Sequence, residues 1–185
     1  NDAYDDSVTN SACINDIANL IVGNGLINLN KGGHNPSINI SFKDTSLIVL
    51  DYMKQGACTM QIIWGSEGVP AKIYHLPLET TAINLTPQME ITGYWYSYDW
   101  RRKFKYTPVF YPVFDGEIPE KGVNIMRIVI PSNEPLFPKP SWFPALRWAQ
   151  DEGLMAQHSY RDIKTGFSGK KVINWVGGRG LTPTD

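Results

Sequence analysis

The chain has 185 residues, of which 42% are apolar and 19% charged, and its formal net charge at pH 7 is −1. This length allows one domain with a buried core, and the charge balance argues against a protein steered as a whole to nucleic acid or to an anionic membrane. The sequence contains no apolar run of about 18 residues, the length of a membrane span. We therefore expect a single globular domain over residues 1–185, with no membrane span and no nucleic-acid partner.

A short helix is predicted near the N-terminus. Ile14, Ile17 and Ile21 recur at the spacing of one helix face. Ser11 is placed to cap the first turn, and Gly23 is placed to end the last one, because glycine readily adopts the left-handed conformation found at helix C-termini. The pattern predicts a helix over residues 12–22.

The two cysteines of the chain, Cys13 and Cys58, are far apart in sequence. A disulfide between them would tie the N-terminal helix to a strand and, in the chain-entropy model, stabilise the fold by about 4 kcal/mol. The alternative is two free buried thiols, which cytosolic proteins often contain. Because disulfides persist in oxidising compartments and the chain begins at Asn1 rather than at Met, we expect the disulfide and a secreted or periplasmic location.

Four strands are predicted after a turn at residues 31–36. Residues 38–43 alternate between apolar and polar side chains, as a half-buried strand does. Three further apolar segments, separated by turns, are also typical of strands; they cover residues 46–52, 57–64 and 71–76. Strands with such short connections predict an antiparallel meander.

Strand-like sequence continues through the middle of the chain. Residues 89–95 and 123–130 are predicted strands. Pro108 and Pro112 interrupt the segment between them. Since proline removes a donor from the hydrogen-bond ladder, that segment is expected at a sheet edge or at a break.

A proline-rich segment opens the C-terminal part of the chain. Five prolines in residues 131–144 prevent regular structure there. The apolar side chains among them are expected to pack into the core: Leu136, Phe137 and Trp142. The alternative is a partner-binding loop, whose stiff prolines would reduce the entropy lost on binding. Pro144 is placed to start a helix over residues 144–157, and residues 170–176 are predicted to form a last strand.

These elements predict a mainly β fold of the β-rich α+β kind. The strands form an antiparallel sheet or sandwich, accompanied by the short N-terminal helix and by one helix near residues 144–157. The composition agrees, because six Trp, nine Tyr, seven Phe, 16 Gly and 13 Pro favour strands joined by turns over a helix bundle.

The most biased stretch is residues 93–106, which has five aromatics in seven residues followed by four cations in five. Read as one strand, its even positions are almost entirely aromatic and its odd positions largely polar, which predicts a buried aromatic face. A turn near residues 97–99 would shorten that strand. In both versions Arg101, Lys103 and Lys105 are exposed together.

The sequence shows no specific catalytic or metal-binding motif. Its three histidines lack the spacing of metal ligands, and it has no G-x-S-x-G nucleophile elbow. Cys58, in a strand and with an expected disulfide partner, is a poor nucleophile. A glycine-rich loop at residues 177–180 is followed by no helix, which a phosphate site requires. We therefore expect no cofactor and no metal.

We predict a non-enzymatic, extracytoplasmic binding protein whose partner is another protein. An inhibitor, a toxin-neutralising immunity protein and an adhesion module are examples of this class. The side-chain types that most often anchor interfaces are Trp, Tyr and Arg. The expected partner-binding residues all lie on the central stretch: Trp95, Tyr98, Trp100, Arg101, Lys103 and Lys105.

Two other functions stay open on the sequence. In a carbohydrate-binding module, Trp95, Tyr98 and Trp100 would stack on sugar rings. In a small secreted hydrolase of the glycosidase kind, Asp99 and Glu117 would form the carboxylate pair, about 5–10 Å apart across a cleft.

Overall fold

A computed structural model describes residues 2–25, 40–66, 68–102, 104–120, 122–132, 134 and 136–166. Its helices are α1 (Asp2–Asp6), α2 (Val8–Val22), α3 (Phe42–Gln55) and α4 (Leu146–Lys164). Its strands are β1 (Ala57–Trp64), β2 (Pro70–Leu76), β3 (Thr81–Leu85), β4 (Ile91–Tyr96), β5 (Val109–Pro112) and β6 (Val123–Val129). Short 3-10 helices span Leu78–Thr80, Trp100–Arg102 and Phe143–Ala145. The predicted β-rich α+β class is confirmed.

Within these ranges the strands form two three-stranded antiparallel sheets, ordered β2-β1-β6 and β3-β4-β5. Strand side chains alternate between the two faces of a sheet, so each face of the first sheet has its own cluster. On one face Cys58 and Met60 pack against Ile48 of α3. On the other, Ile125 packs against Tyr94 of the second sheet. The layers are therefore helix, sheet and sheet.

The predicted strand over residues 46–52 is wrong, because this segment lies within helix α3. A short apolar run has the same pattern in a buried strand and in a buried helix. Ser41 decides for the helix, since its side chain accepts a hydrogen bond from the backbone N–H of Asp44, and Gly56 ends it in the left-handed conformation. The strand expected over residues 38–43 is likewise wrong at its end, where α3 begins.

The N-terminal helix ends at Gly23 as predicted but begins earlier, at Val8. Ser7, rather than Ser11, caps it by accepting a hydrogen bond from the N–H of Asn10. Ser7 also donates to the carboxylate of Glu152 in α4. Glu152 thereby places a negative charge at the positive end of α2 and ties the N-terminal helix to α4.

The predicted disulfide is wrong, because Cys13 and Cys58 are both free. Helix α2 packs on α3 and α3 packs on the first sheet, so a layer of structure separates the two thiols. Cys13 is exposed on α2, whereas Cys58 is buried in β1 beneath α3. Burial raises the pKa of the Cys58 thiol to about 11.

The predicted C-terminal helix is confirmed and is longer than expected, since α4 runs from Leu146 to Lys164. Gly153 lies inside it without ending it. A Cβ at this position would approach the Cβ of Asp6 to 3.1 Å, so the glycine allows α1 to pack closely on α4. No described helix is both long and apolar enough to cross a bilayer. The last strand, predicted over residues 170–176, lies outside the described residues.

The proline-rich segment only partly plugs the core. The indole N–H of Trp142 donates to the backbone oxygen of Lys54, which fixes the segment against the end of α3. Leu136 is half-buried, but Phe137 is 78% exposed, so its predicted burial is wrong. Phe137 lies at the end of a turn, in which its N–H donates to the Glu134 oxygen at 3.2 Å.

Candidate functional site

The candidate site begins where β4, the central strand of the second sheet, leaves the core. Tyr94 is 3% exposed and Trp95 is 39% exposed, which is the alternation expected of a strand with one buried face. Ser97 is buried just beyond the strand. Its N–H donates to the Thr80 oxygen at 3.0 Å, and its hydroxyl donates to the Tyr106 oxygen at 3.3 Å. Ser97 thus closes a surface loop, which we call the aromatic-basic loop (residues 97–102 and 104–106).

The idea of one strand through residues 93–106 is wrong, and the version with a turn is confirmed. Strand β4 stops at Tyr96. Asp99 then accepts a hydrogen bond from the N–H of Arg101 at 2.9 Å, which is a side-chain-stabilised turn. The guanidinium of Arg102 lies 3.6 Å from the same carboxylate. The short 3-10 helix Trp100–Arg102 follows this turn.

The loop exposes aromatic rings beside cations. Tyr98 is 71% exposed and Phe104 fully exposed. The Tyr98 ring lies 5.2 Å from the Tyr106 ring, and the Lys105 ammonium lies 5.4 Å from the centre of that second ring. Arg101 is exposed as well. Aromatic and arginine side chains on a fixed loop are the combination that most often anchors a macromolecular contact.

The two predicted tryptophans have different positions. Trp95 lies edge-on to Phe110, with 5.3 Å between the ring centres, and its indole N–H donates to Asn84. Trp100 is half-buried, and its N–H donates to the Glu79 oxygen at 3.1 Å. Trp100 therefore anchors the loop to the neighbouring 3-10 helix more than it presents a surface. Lys103 lies outside the described residues.

Phe104 is the surface residue that sequence reasoning missed. Alternation along a single strand assigns it to the buried aromatic face, together with Tyr94. The turn at Asp99 breaks that alternation, and Phe104 lies in a second turn, closed by the hydrogen bond from Lys105 N–H to the Arg102 oxygen at 2.9 Å. Its position among four cations was the available signal, since apolar core strands seldom carry so many charges.

A second polar cluster lies under helix α3. The Nε2 of His75 is 2.7 Å from a carboxylate oxygen of Asp51, with the two side chains 9% and 16% exposed. The backbone N–H of His75 donates to Asp44. The nearby Cys58 thiol has its pKa raised to about 11 by burial and by the charge of Asp51, so it stays protonated at neutral pH. The cluster holds α3 on the sheet and does not form an activated nucleophile.

The carboxylates considered for glycoside cleavage have other contacts or are solvated. Asp99 is engaged within its own loop, and Glu117 is exposed in a turn closed by Asp115. Among the residues that the structure describes, no three His, Cys, Asp or Glu side chains are grouped to hold a metal ion. No protein-family model and no curated protein sequence matches this chain.

Proposed function

We propose that this protein is a non-enzymatic binding protein and that the aromatic-basic loop contacts an acidic surface of a protein partner. The observation that carries the proposal is the exposure of Tyr98 and Phe104 beside Arg101 and Lys105 on a loop whose two ends are joined by the hydrogen bond from the Ser97 hydroxyl to the Tyr106 oxygen. A loop that is ordered before binding loses less conformational entropy in the complex, so its exposed aromatics retain more of their binding energy.

The charge of the loop supports an acidic partner. Residues 98–106 hold four cations against the single carboxylate of Asp99, whereas the whole chain has a net charge of −1. Such a local positive patch on a nearly neutral protein steers one face toward a partner of opposite charge. Inhibitors, immunity proteins and adhesion modules are the classes of binding protein that this geometry fits.

The secreted or periplasmic location stays a prediction. Its argument from a disulfide no longer holds, because Cys13 and Cys58 are not bonded. Fractionation of the native host, followed by detection of the protein in each compartment, is the direct measurement.

The test of the proposal is charge reversal on the loop. A pull-down from native extract identifies the partner, and titration then measures its affinity for a triple variant, Arg101→Glu, Lys103→Glu and Lys105→Glu. We expect a loss of about a hundredfold, since like charges placed opposite one another cost several kcal/mol. The matched control reverses three cations on exposed α4, namely Arg147, Arg161 and Lys164, and leaves affinity within about threefold. Equal losses in both variants would exclude the loop as the contact.

A carbohydrate partner is the second proposal, since the exposed rings of Trp95 and Tyr98 offer stacking surfaces. A glycan array separates the two: saccharide binding that Tyr98→Ala abolishes and the triple charge reversal leaves intact favours the carbohydrate. The hydrolase of the glycosidase kind has the weakest support, because Asp99 already closes the loop.

A further inference from the structure

A groove runs between the second sheet and the proline-rich segment, and Arg127 of β6 forms part of its wall. It has two lobes, with volumes of about 480 and 390 Å³. The two lobes border the same four side chains, which are Leu78, Arg127, Leu136 and Phe137. We call this space the Arg127 groove. It is separate from the aromatic-basic loop and involves none of the predicted contact residues.

The guanidinium of Arg127 makes fewer hydrogen bonds than it has donors for. Its Nε is buried and has no hydrogen-bond partner among the residues that the structure describes, and its Nη2 donates one long bond, 3.3 Å, to the Leu136 oxygen. Over the described part of the chain, no carboxylate pairs with it. The neighbouring polar group is the buried phenol of Tyr94, and burial lowers the pKa of the Arg127 guanidinium. An arginine nevertheless stays charged at neutral pH, so Arg127 is a partly desolvated cation with no anionic partner among the described residues.

The two lobes differ in chemistry. The lobe along β3 is mostly apolar, and beyond the shared residues it is lined by Thr81, Ala82, Ile83 and Leu85. The other lobe adds polar and cationic groups to aromatic and proline walls, among them Lys54, Gln55, Lys139 and Gln150. None of the described residues that line the two lobes is an Asp or a Glu. A ligand that fits both must carry an anion next to an apolar body.

We propose that the Arg127 groove binds a small monocarboxylate with an aliphatic body. The carboxylate lies against the terminal nitrogens of the Arg127 guanidinium, whose planar fork of N–H donors matches the two carboxylate oxygens. The aliphatic body lies in the lobe along β3, against Ile83 and Phe137, where each buried methylene adds to the affinity. This site is independent of the proposed protein-binding function.

The first experiment separates the anion from the apolar body. Calorimetric titrations use octanoate, 1-octanol and acetate, with octanoate held below its micelle concentration. We expect saturable one-to-one binding of octanoate, with 1-octanol and acetate weaker by about tenfold or more because each lacks one half of the ligand. Equal affinities for octanoate and 1-octanol, or no saturable octanoate binding, overturn the proposal.

The second experiment uses variants. Arg127→Met removes the charge and is expected to abolish octanoate binding, while Arg161→Met makes the same change on exposed α4 and leaves binding intact. Phe137→Ala changes an exposed position that the fold tolerates. It should weaken octanoate binding several-fold, because it removes an apolar side chain that lines the lobe along β3. Arg127→Lys, which keeps charge but not the fork, is expected to bind with intermediate affinity.

Thermal unfolding distinguishes a ligand site from a structural strut. If the groove binds carboxylates, octanoate raises the Tm of the wild type and does not raise that of Arg127→Met. If Arg127 only holds the proline-rich segment through the Leu136 oxygen, the variant has a lower Tm and Phe137→Ala binds octanoate as the wild type does. That second pattern overturns the proposal.

Discussion

The aromatic-basic loop and the Arg127 groove place the same kind of side chain in opposite environments. Arg101 and Lys105 are exposed on the loop, where water solvates their charges and folding costs them little. Arg127 is half-buried, and its Nε is buried without a hydrogen-bond partner in the part of the chain that the structure describes. The comparison shows that a cation's effect depends on its solvation: exposed cations act through a screened, long-range field, and a desolvated one acts through short-range hydrogen bonds.

Added salt should give the largest difference between binding at the aromatic-basic loop and binding in the Arg127 groove. Raising NaCl from about 50 to about 500 mM is expected to lower the affinity of the loop for its protein partner by one to two orders of magnitude, because exposed charges are screened beyond a few ångströms. Octanoate binding in the groove should change by less than about threefold, since the groove is partly closed to ions. Titrations at matched pH measure both. A groove affinity that falls as steeply as the loop's would show that Arg127 acts as a surface charge.

Replacing the exposed aromatic side chains measures how much the loop contributes to the affinity for the protein partner. Tyr98→Ala and Phe104→Ala should each weaken binding of the protein partner by about 1–2 kcal/mol, which is a roughly five- to thirtyfold loss of affinity, because interface anchors are commonly exposed aromatics. Their free energies of unfolding should match that of the wild type, since both rings are exposed. Phe137→Ala removes an equally exposed ring elsewhere and serves as the control. If all three variants bind alike, the loop is not the contact surface.

Stability measurements test the cost of the buried charge. Arg127→Met should leave the free energy of unfolding of the unliganded protein unchanged or raise it by up to about 1 kcal/mol, because an apolar side chain replaces a desolvated cation. Arg101→Met should change it by less than about 0.5 kcal/mol, as exposed substitutions usually do. Urea unfolding monitored by circular dichroism measures both. A marked loss of stability in Arg127→Met alone would mean that the cation is structural.

Acid should weaken the contact between α2 and α4, with a smaller effect on stability. Hydrogen bonds from Ser7 and Thr9 lower the pKa of Glu152 below its ordinary 4.5. A carboxyl with a depressed folded pKa contributes stability that is complete above about pH 4.5 and is lost as the pH falls through the folded pKa. Glu152→Gln should therefore be less stable than wild type at neutral pH and lose less on acidification. Thermal unfolding from pH 3 to 7 measures this, with exposed Glu79→Gln as control.

Strand β1 and helix α3 show how far the sequence could be read. Residues 57–64 were predicted as a strand, and β1 has those bounds, because glycine-containing turns delimit an apolar segment of strand length. The adjacent residues 46–52 have similar apolar content but form a helix. Ser41 and Gly56, at the two ends of α3, were the local signals that favoured the helix. An apolar run by itself does not choose between the two structures.

The exposure of the aromatic-basic loop was also predictable only in part, because alternation along a strand holds only where the strand continues. Trp95 and Arg101 were expected at the surface and are there, because both lie opposite the buried tyrosine face or beyond its end. The exposure of Phe104 was missed, since period-two alternation holds only until Asp99 turns the chain. The disulfide between Cys13 and Cys58 was wrong because cysteine counts carry no information on which layers separate two thiols.

By itself, the sequence determined the local features: the β-rich α+β class, the end of α2 at Gly23, the bounds of β1 and the cluster of cations after Trp100. These depend on neighbouring residues, whose spacing and backbone preferences are written in the chain. Only the tertiary structure decided which cations are solvated and which are not. Arg127 alternates with Met126 and Ile128 in β6 as an exposed residue would, and it is half-buried because a second sheet and the proline-rich segment lie over its face.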